Sequence, residues 1–247
     1  MTAQSETPTT ADDRYVALPF YLLCDVSASM TPHIDTLNQS LLDFRDALAA
    51  NPVLADKVQF GVIEFAEHAR EVIELGDFSV ADLEDCQLTA SGGTSYGTAL
   101  RTLRTTIEHD LAAGADRYRY FRPAVFFLTD GEPTDDNWEA AFHDLTYFDE
   151  PSGQGFRSYP LFVPFGIGDA DAHTLATMVH PQDRSVLFMA DAETTPATAI
   201  SKMTEAMIRS MLKSGGSALR GTPQHVLPAP EELGPGIIAY PGGNFVT

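Results

Sequence analysis

Three separate stretches of this 247-residue chain end in oxygen-bearing side chains whose types suit a shared cation. Asp25, Ser27 and Ser29 form an Asp-x-Ser-x-Ser array at the close of an apolar run. Thr94 follows Gly92-Gly93, and Asp130 follows the apolar run Pro123 to Thr129. Together they offer two carboxylates and three hydroxyls, with no His or Cys among them. Zinc sites draw mainly on nitrogen and sulfur, so this set argues against Zn²⁺. It suits Mg²⁺, a hard cation that demands octahedral oxygen geometry and keeps several waters. Mn²⁺ and Ca²⁺ are the other candidates. Two aspartates balance the charge of a divalent ion, and hydroxyls coordinate without cancelling it. An ion held this way stays electrophilic towards an outside ligand, so the expected partner is a protein that offers an Asp or Glu carboxylate. Gly92 and Gly93 let the backbone approach closely there.

The elements around these residues supply the reason to expect them together. Leu18 to Asp25 reads as a buried parallel strand, being continuously apolar up to its final acid. Ile34, Leu37, Leu41, Phe44 and Leu48 recur at helical spacing up to Asn51-Pro52. Lys57 to Phe65 and Arg70 to Leu75 predict a hairpin, since only a few residues separate them. After the Ser91–Thr94 turn, a helix is expected from Tyr96 to Ala112. Further strands are expected at 123–129, 159–167 and 186–189, and helices at 135–148, 172–179 and 196–213. Alternating strands and helices imply a doubly wound α/β fold: a mostly parallel six-stranded sheet, one antiparallel edge strand, and helices on both faces. Ligands in such folds gather at the carboxyl ends of strands, where Asp25 and Asp130 sit. Residues 1–14 read as a flexible leader, 15–213 as the domain, and 214–247 as a Gly/Pro-rich tail in which Gly236 to Tyr240 has the makings of a short strand.

The Asp-x-Ser-x-Ser element, the later Thr and the later Asp, in this order and strand context, resemble the metal-ion-dependent adhesion site (MIDAS) of von Willebrand factor A (VWA) domains. The resemblance spans roughly residues 15 to 213. It implies that Ser27 and Ser29 ligate directly, that Thr94 ligates directly or on partner binding, and that Asp25 and Asp130 act directly or through water. Pro19 to Met30, Phe127 to Asp135 and Phe165-Gly-Ile-Gly168 are similar to bacterial intracellular VWA proteins of the tellurium-resistance, TerY type. That likeness implies a part in stress-linked signalling or in assembling protein complexes.

Each residue also has a plainer explanation. Ser, Thr and Asp favour turns and helix caps, so any one of the five taken alone is ambiguous. Glu132, Asp135 and Asp136 are either rim acids that support the ion or, the preferred reading, a solvated loop and a helix start. Gly93-Thr-Ser95-Tyr-Gly97 matches the G-x-S-x-G nucleophile elbow, which makes a serine hydrolase using Ser95 the rival function. The segment before it is short and polar, whereas an elbow needs a buried strand there. A phosphotransferase using Asp25 would want an acid where Ser27 stands. A non-enzymatic binding module is the expected class.

Composition narrows the partners. Thirty-five acidic residues against 15 basic ones leave a formal charge of −20, which opposes nucleic acid and anionic membrane surfaces. Two cysteines without CxxC spacing make neither a disulfide framework nor a zinc site, and Cys24 reads as a small core residue. The polar start is not a signal peptide and no 18-residue apolar stretch occurs, so a cytoplasmic location is expected.

Overall fold

The computed structural model describes residues 13–83 and 86–242. The reading of residues 1–14 as a leader therefore lies almost wholly outside the described residues. The central strand is β1 (Tyr15–Asp25), buried from Ala17 to its end. It lies parallel to β2 (Val58–Phe65) on one side and β5 (Ala124–Thr129) on the other. β8 (Leu161–Gly166) and β9 (Val186–Ala190) extend the parallel order beyond β5. β3 (Ala69–Gly76) folds back antiparallel on β2, as the short connection between them requires.

Alternation along the strands divides the core in two. Phe20, Leu22 and Cys24 face α1 (Ile34–Ala49) and α6 (Pro196–Leu219). Tyr21 and Leu23 face α3 (Tyr96–Ala113), α4 (Trp138–Thr146) and α5 (Ala172–Thr177). This is the period of two expected of a pleated strand with helices on both sides. Leu37, Leu41, Phe44 and Leu48 of α1 are all buried, and each such side chain contributes roughly 1.5–3 kcal/mol relative to exposure. α2 (Pro52–Ala55) is a single turn against α6. A methyl group on Gly215 of α6 would collide with the Leu54 carbonyl oxygen, so this crossing depends on glycine.

The doubly wound class matches the sequence expectation; the strand count does not. Among the described residues the main sheet has eight strands rather than six, and antiparallel strands lie on both edges rather than one. One addition is β4 (Tyr118–Tyr120), which pairs with the start of β1. Its three residues are too few to show a period. The other is β10 (Ile237–Pro241), antiparallel to β9, within the Gly/Pro-rich stretch where periodicity fades. β6 (Phe148–Asp149) and β7 (Gln154–Gly155) form a separate small hairpin. α6 runs to Leu219, past the expected end near 213, and Leu233 and Ile237 are buried. β10 thus covers an edge of β9 that would otherwise present unpaired backbone groups. Among the described residues no helix is long and apolar enough to cross a membrane.

Candidate metal centre

β1 and β5 are adjacent and parallel, with Cys24 opposite Leu128. Both strands therefore end on one rim, which places Asp25 beside Thr129 and Asp130 just beyond. Asp25 is fully buried and Asp130 is 6% exposed. Ser27 and Thr94 are buried as well, while Ser29 lies at the surface.

Hydrogen bonds connect four of the five expected residues. The Ser27 amide donates to Asp25 Oδ1 at 2.7 Å, folding the loop back over the strand end. Ser29 Oγ donates to Asp130 Oδ1 at 2.8 Å and lies 3.0 Å from Ser27 Oγ. Thr94 is held through its backbone instead. Its carbonyl oxygen accepts from the Thr134 amide at 2.8 Å and from the Thr134 hydroxyl at 3.0 Å. Its hydroxyl makes no hydrogen bond to the other four but borders the loop after Asp130. A methyl group on Gly131 would sit 3.9 Å from that oxygen. The Ser91 amide bonds the Val26 carbonyl and the Ala28 amide bonds the Gly92 carbonyl, so the first two loops are fastened together.

Several contributors lie outside the five expected residues. Thr129 Oγ1 donates to Asp25 Oδ2 at 2.6 Å. The Tyr96 hydroxyl donates to the Gly131 carbonyl at 2.7 Å, and Trp138 stands edge-on to the Tyr96 ring. Asp135, expected as a helix start, accepts from the Gly97 amide at 2.9 Å and so caps α3 rather than its own helix. Thr129 did carry a signal: it is the polar residue ending a strand that is otherwise apolar. Asp135 stands among the acids after Asp130 that suit a supporting role as well as a helix start, and α4 begins at Trp138 rather than near 135.

The electrostatics favour a cation. Burial pushes the Asp25 and Asp130 carboxyls above the usual carboxylate range, and the charge on Asp130 raises Asp25 further. Among the described residues neither makes a salt bridge, and the one imidazole acting on Asp130 is His33. Apart from that imidazole, the two buried carboxylates face no basic side chain within salt-bridge distance among the described residues. No three or more His, Cys, Asp or Glu side chains gather into a metal cluster among the described residues, so most of the oxygen here is hydroxyl. That donor set fits a hard divalent ion and fits zinc poorly.

The hydrolase reading lacks its parts. Ser95 caps α3, accepting from the Thr98 amide at 3.3 Å and donating to Thr98 Oγ1 at 2.8 Å. Residues 86–95 contain no strand.

A mostly parallel sheet with helices on both faces, with Asp25 and Asp130 at adjacent strand ends, defines a doubly wound α/β domain. The chain belongs to the von Willebrand factor type A domain family, whose model matches residues 20–203. Members of this family are typically metal-dependent protein-binding modules and generally not enzymes. No curated protein sequence matches. Among solved structures the chain is similar to the pilus adhesin SpaC from Lactobacillus rhamnosus GG, at 16% identity and a TM-score of 0.58, over 81% of this chain and 30% of that one. It is similar to a von Willebrand factor type A protein from Catenulispora acidiphila, at 18% identity and a TM-score of 0.54, over 80% and 43%. Proximal thread matrix protein 1 from the mussel byssus, described with a zinc-occupied MIDAS motif, aligns at 18% identity and a TM-score of 0.52, over 81% and 49%. This chain spans less than half the length of each of these three.

Proposed function

We propose that Asp25, Ser27, Ser29, Thr94 and Asp130 hold one divalent cation, Mg²⁺ first and Mn²⁺ or Ca²⁺ next, and that this rim captures a protein partner through an Asp or Glu carboxylate. The observation that carries the reading is the buried pair Asp25 and Asp130, joined through hydroxyl and amide groups and, among the described residues, without a salt bridge. When bound, the cation supplies an electrophilic position that a carboxylate from outside can complete. The chain's own residues prepare that position. Thr129 and the Ser27 amide orient Asp25 by occupying one lone pair on each of its oxygens. Ser29, at the surface, marks the side from which a partner arrives. Thr134 and Asp135 fix the Thr94 loop against the start of α3.

The likeness of Pro19 to Met30 and Phe127 to Asp135 to TerY-type proteins supports placing this module in the bacterial cytoplasm, in stress-linked signalling or complex assembly. The excess of acid over base supports a partner other than nucleic acid or membrane.

Thermal unfolding with Mg²⁺, Mn²⁺, Ca²⁺ or Zn²⁺, each against EDTA, tests the site. Zn²⁺ belongs in the series because a mussel relative holds zinc in its motif. Selective stabilisation by Mg²⁺ or Mn²⁺ that disappears in Asp130→Ala supports the reading. An identical response in the wild type and the variant overturns it.

A further inference from the structure

A cavity of about 520 Å³ opens at the opposite end of the sheet from the metal rim, where β5 and β8 begin. Arg122, just before β5, and Arg184, just before β9, both line it. Phe121, Leu161, Pro181 and Leu227 give it apolar walls. Among the described residues no Asp or Glu lines it, although the chain carries 35 acidic residues against 15 basic ones. The volume lies within the range of small-molecule sites, and a few charged groups among apolar walls is their usual make-up.

The two guanidinium groups lack a proper counter-charge. Among the described residues Arg122 makes no salt bridge. Arg184 reaches only Asp183, at 3.7 Å and with both side chains mostly exposed, a geometry that contributes little. Burial and the like charge of Arg184 both work against the charged form of Arg122. Holding the partly buried Arg122 beside the like charge of Arg184 carries a cost, and an anion reaching both would remove it.

Arg122 is also held in place in advance. Its guanidinium lies over the Tyr159 ring, 3.5 Å from the centroid, and Nη1 donates to the Tyr159 carbonyl at 2.8 Å. The Arg122 carbonyl is bonded to His225 Nε2, and the His225 ring stands edge-on to Phe20. A stacked, planar fork of donors suits the two oxygens of a carboxylate. The apolar walls select for an organic body behind it.

We infer that this cavity binds a small organic acid, one carboxylate on an apolar body, between Arg122 and Arg184. This is independent of the metal rim, since none of the five rim residues lines the cavity.

Calorimetric titration of the full chain with phenylacetate, in EDTA, tests it. EDTA removes any cation at the rim, so a carboxylate bound there is not counted. Phenylacetate should bind, and Arg184→Gln, an exposed and structurally tolerant change, should weaken binding at least tenfold. Arg122→Gln should weaken it further, provided circular dichroism shows the variant folded. Phenethylamine, with the same ring but a positive charge, should not bind. Absence of phenylacetate binding, equal binding of phenethylamine or inorganic phosphate, or unchanged affinity in Arg184→Gln overturns the proposal.

Discussion

Thr129 Oγ1 donates to Asp25 Oδ2 at 2.6 Å between two adjacent parallel strands, with both groups buried. The bond exists because β1 and β5 are in register up to Cys24 and Leu128, so the next residues along face each other on the α3 side. It gives the carboxylate a fixed rotamer without giving it a counter-charge. Thr129→Val keeps the shape and removes the donor. Loss of a hydrogen bond to a charged group costs about 1.5–3 kcal/mol, measurable by urea unfolding. If Asp25 serves a cation, Mg²⁺ affinity should fall about 10- to 100-fold, as when the partner that orients a metal ligand is removed. Unchanged affinity in a folded Thr129→Val protein would show that Asp25 does not hold the ion.

Asp130→Ala should act in opposite directions on the metal-free and metal-bound protein. Burial raises the folded-state pKa of Asp130, so its contribution to metal-free stability is full below the ordinary carboxylate value and is lost as pH rises through the raised one. At neutral pH the group is therefore a liability, and its removal also relieves repulsion on Asp25. The metal-free variant should melt at or above the wild type at pH 7.5. The wild type should gain about 2.7 kcal/mol from Mg²⁺ at 100 times its dissociation constant, roughly 5–10 °C in melting temperature for a domain of this size, and the variant should gain none. A Mg²⁺ increment retained by the variant would remove Asp130 from the ligand set.

Much of this arrangement was legible in the sequence because the strong signals are local. The apolar runs ending at Asp25 and Thr129, and the helical spacing of Leu37, Leu41, Phe44 and Leu48, each need only a short window. What the sequence hid depends on contacts between distant segments. Thr129 reaching Asp25 follows from strand register, and Asp135 capping α3 follows from a loop crossing to another element. β10 was suggested only by Ile237, Ile238 and Tyr240 among glycines and prolines. Its pairing with β9 is set by tertiary position rather than by a period.

Ser95 should prove to be structural. As the cap of α3 it satisfies the Thr98 amide, and Ser95→Ala should cost about 1 kcal/mol in chemical denaturation. A fluorophosphonate probe should leave the wild-type protein unlabelled. Labelling that disappears in Ser95→Ala would revive the hydrolase reading.

Glu71 provides a pH test on the α3 side, away from the metal rim. Burial, then the charges of Asp110 and Glu74, push its carboxyl up to about 7 from an ordinary 4.5, and its buried Oε1 has no hydrogen-bond partner among the described residues. A folded-state pKa above the unfolded one means that the folded chain holds the proton more tightly. The contribution is therefore fully present below pH 4.5 and is lost progressively as pH rises to about 7. Glu71→Gln removes the ionisation while keeping the size. The variant should match the wild type at pH 4.5 and melt progressively higher than it as pH rises, with the gap reaching its maximum above pH 7. Melting curves at half-unit steps from pH 4.5 to 8 check this. Parallel curves for the two proteins across that window would show that Glu71 titrates normally in the folded chain.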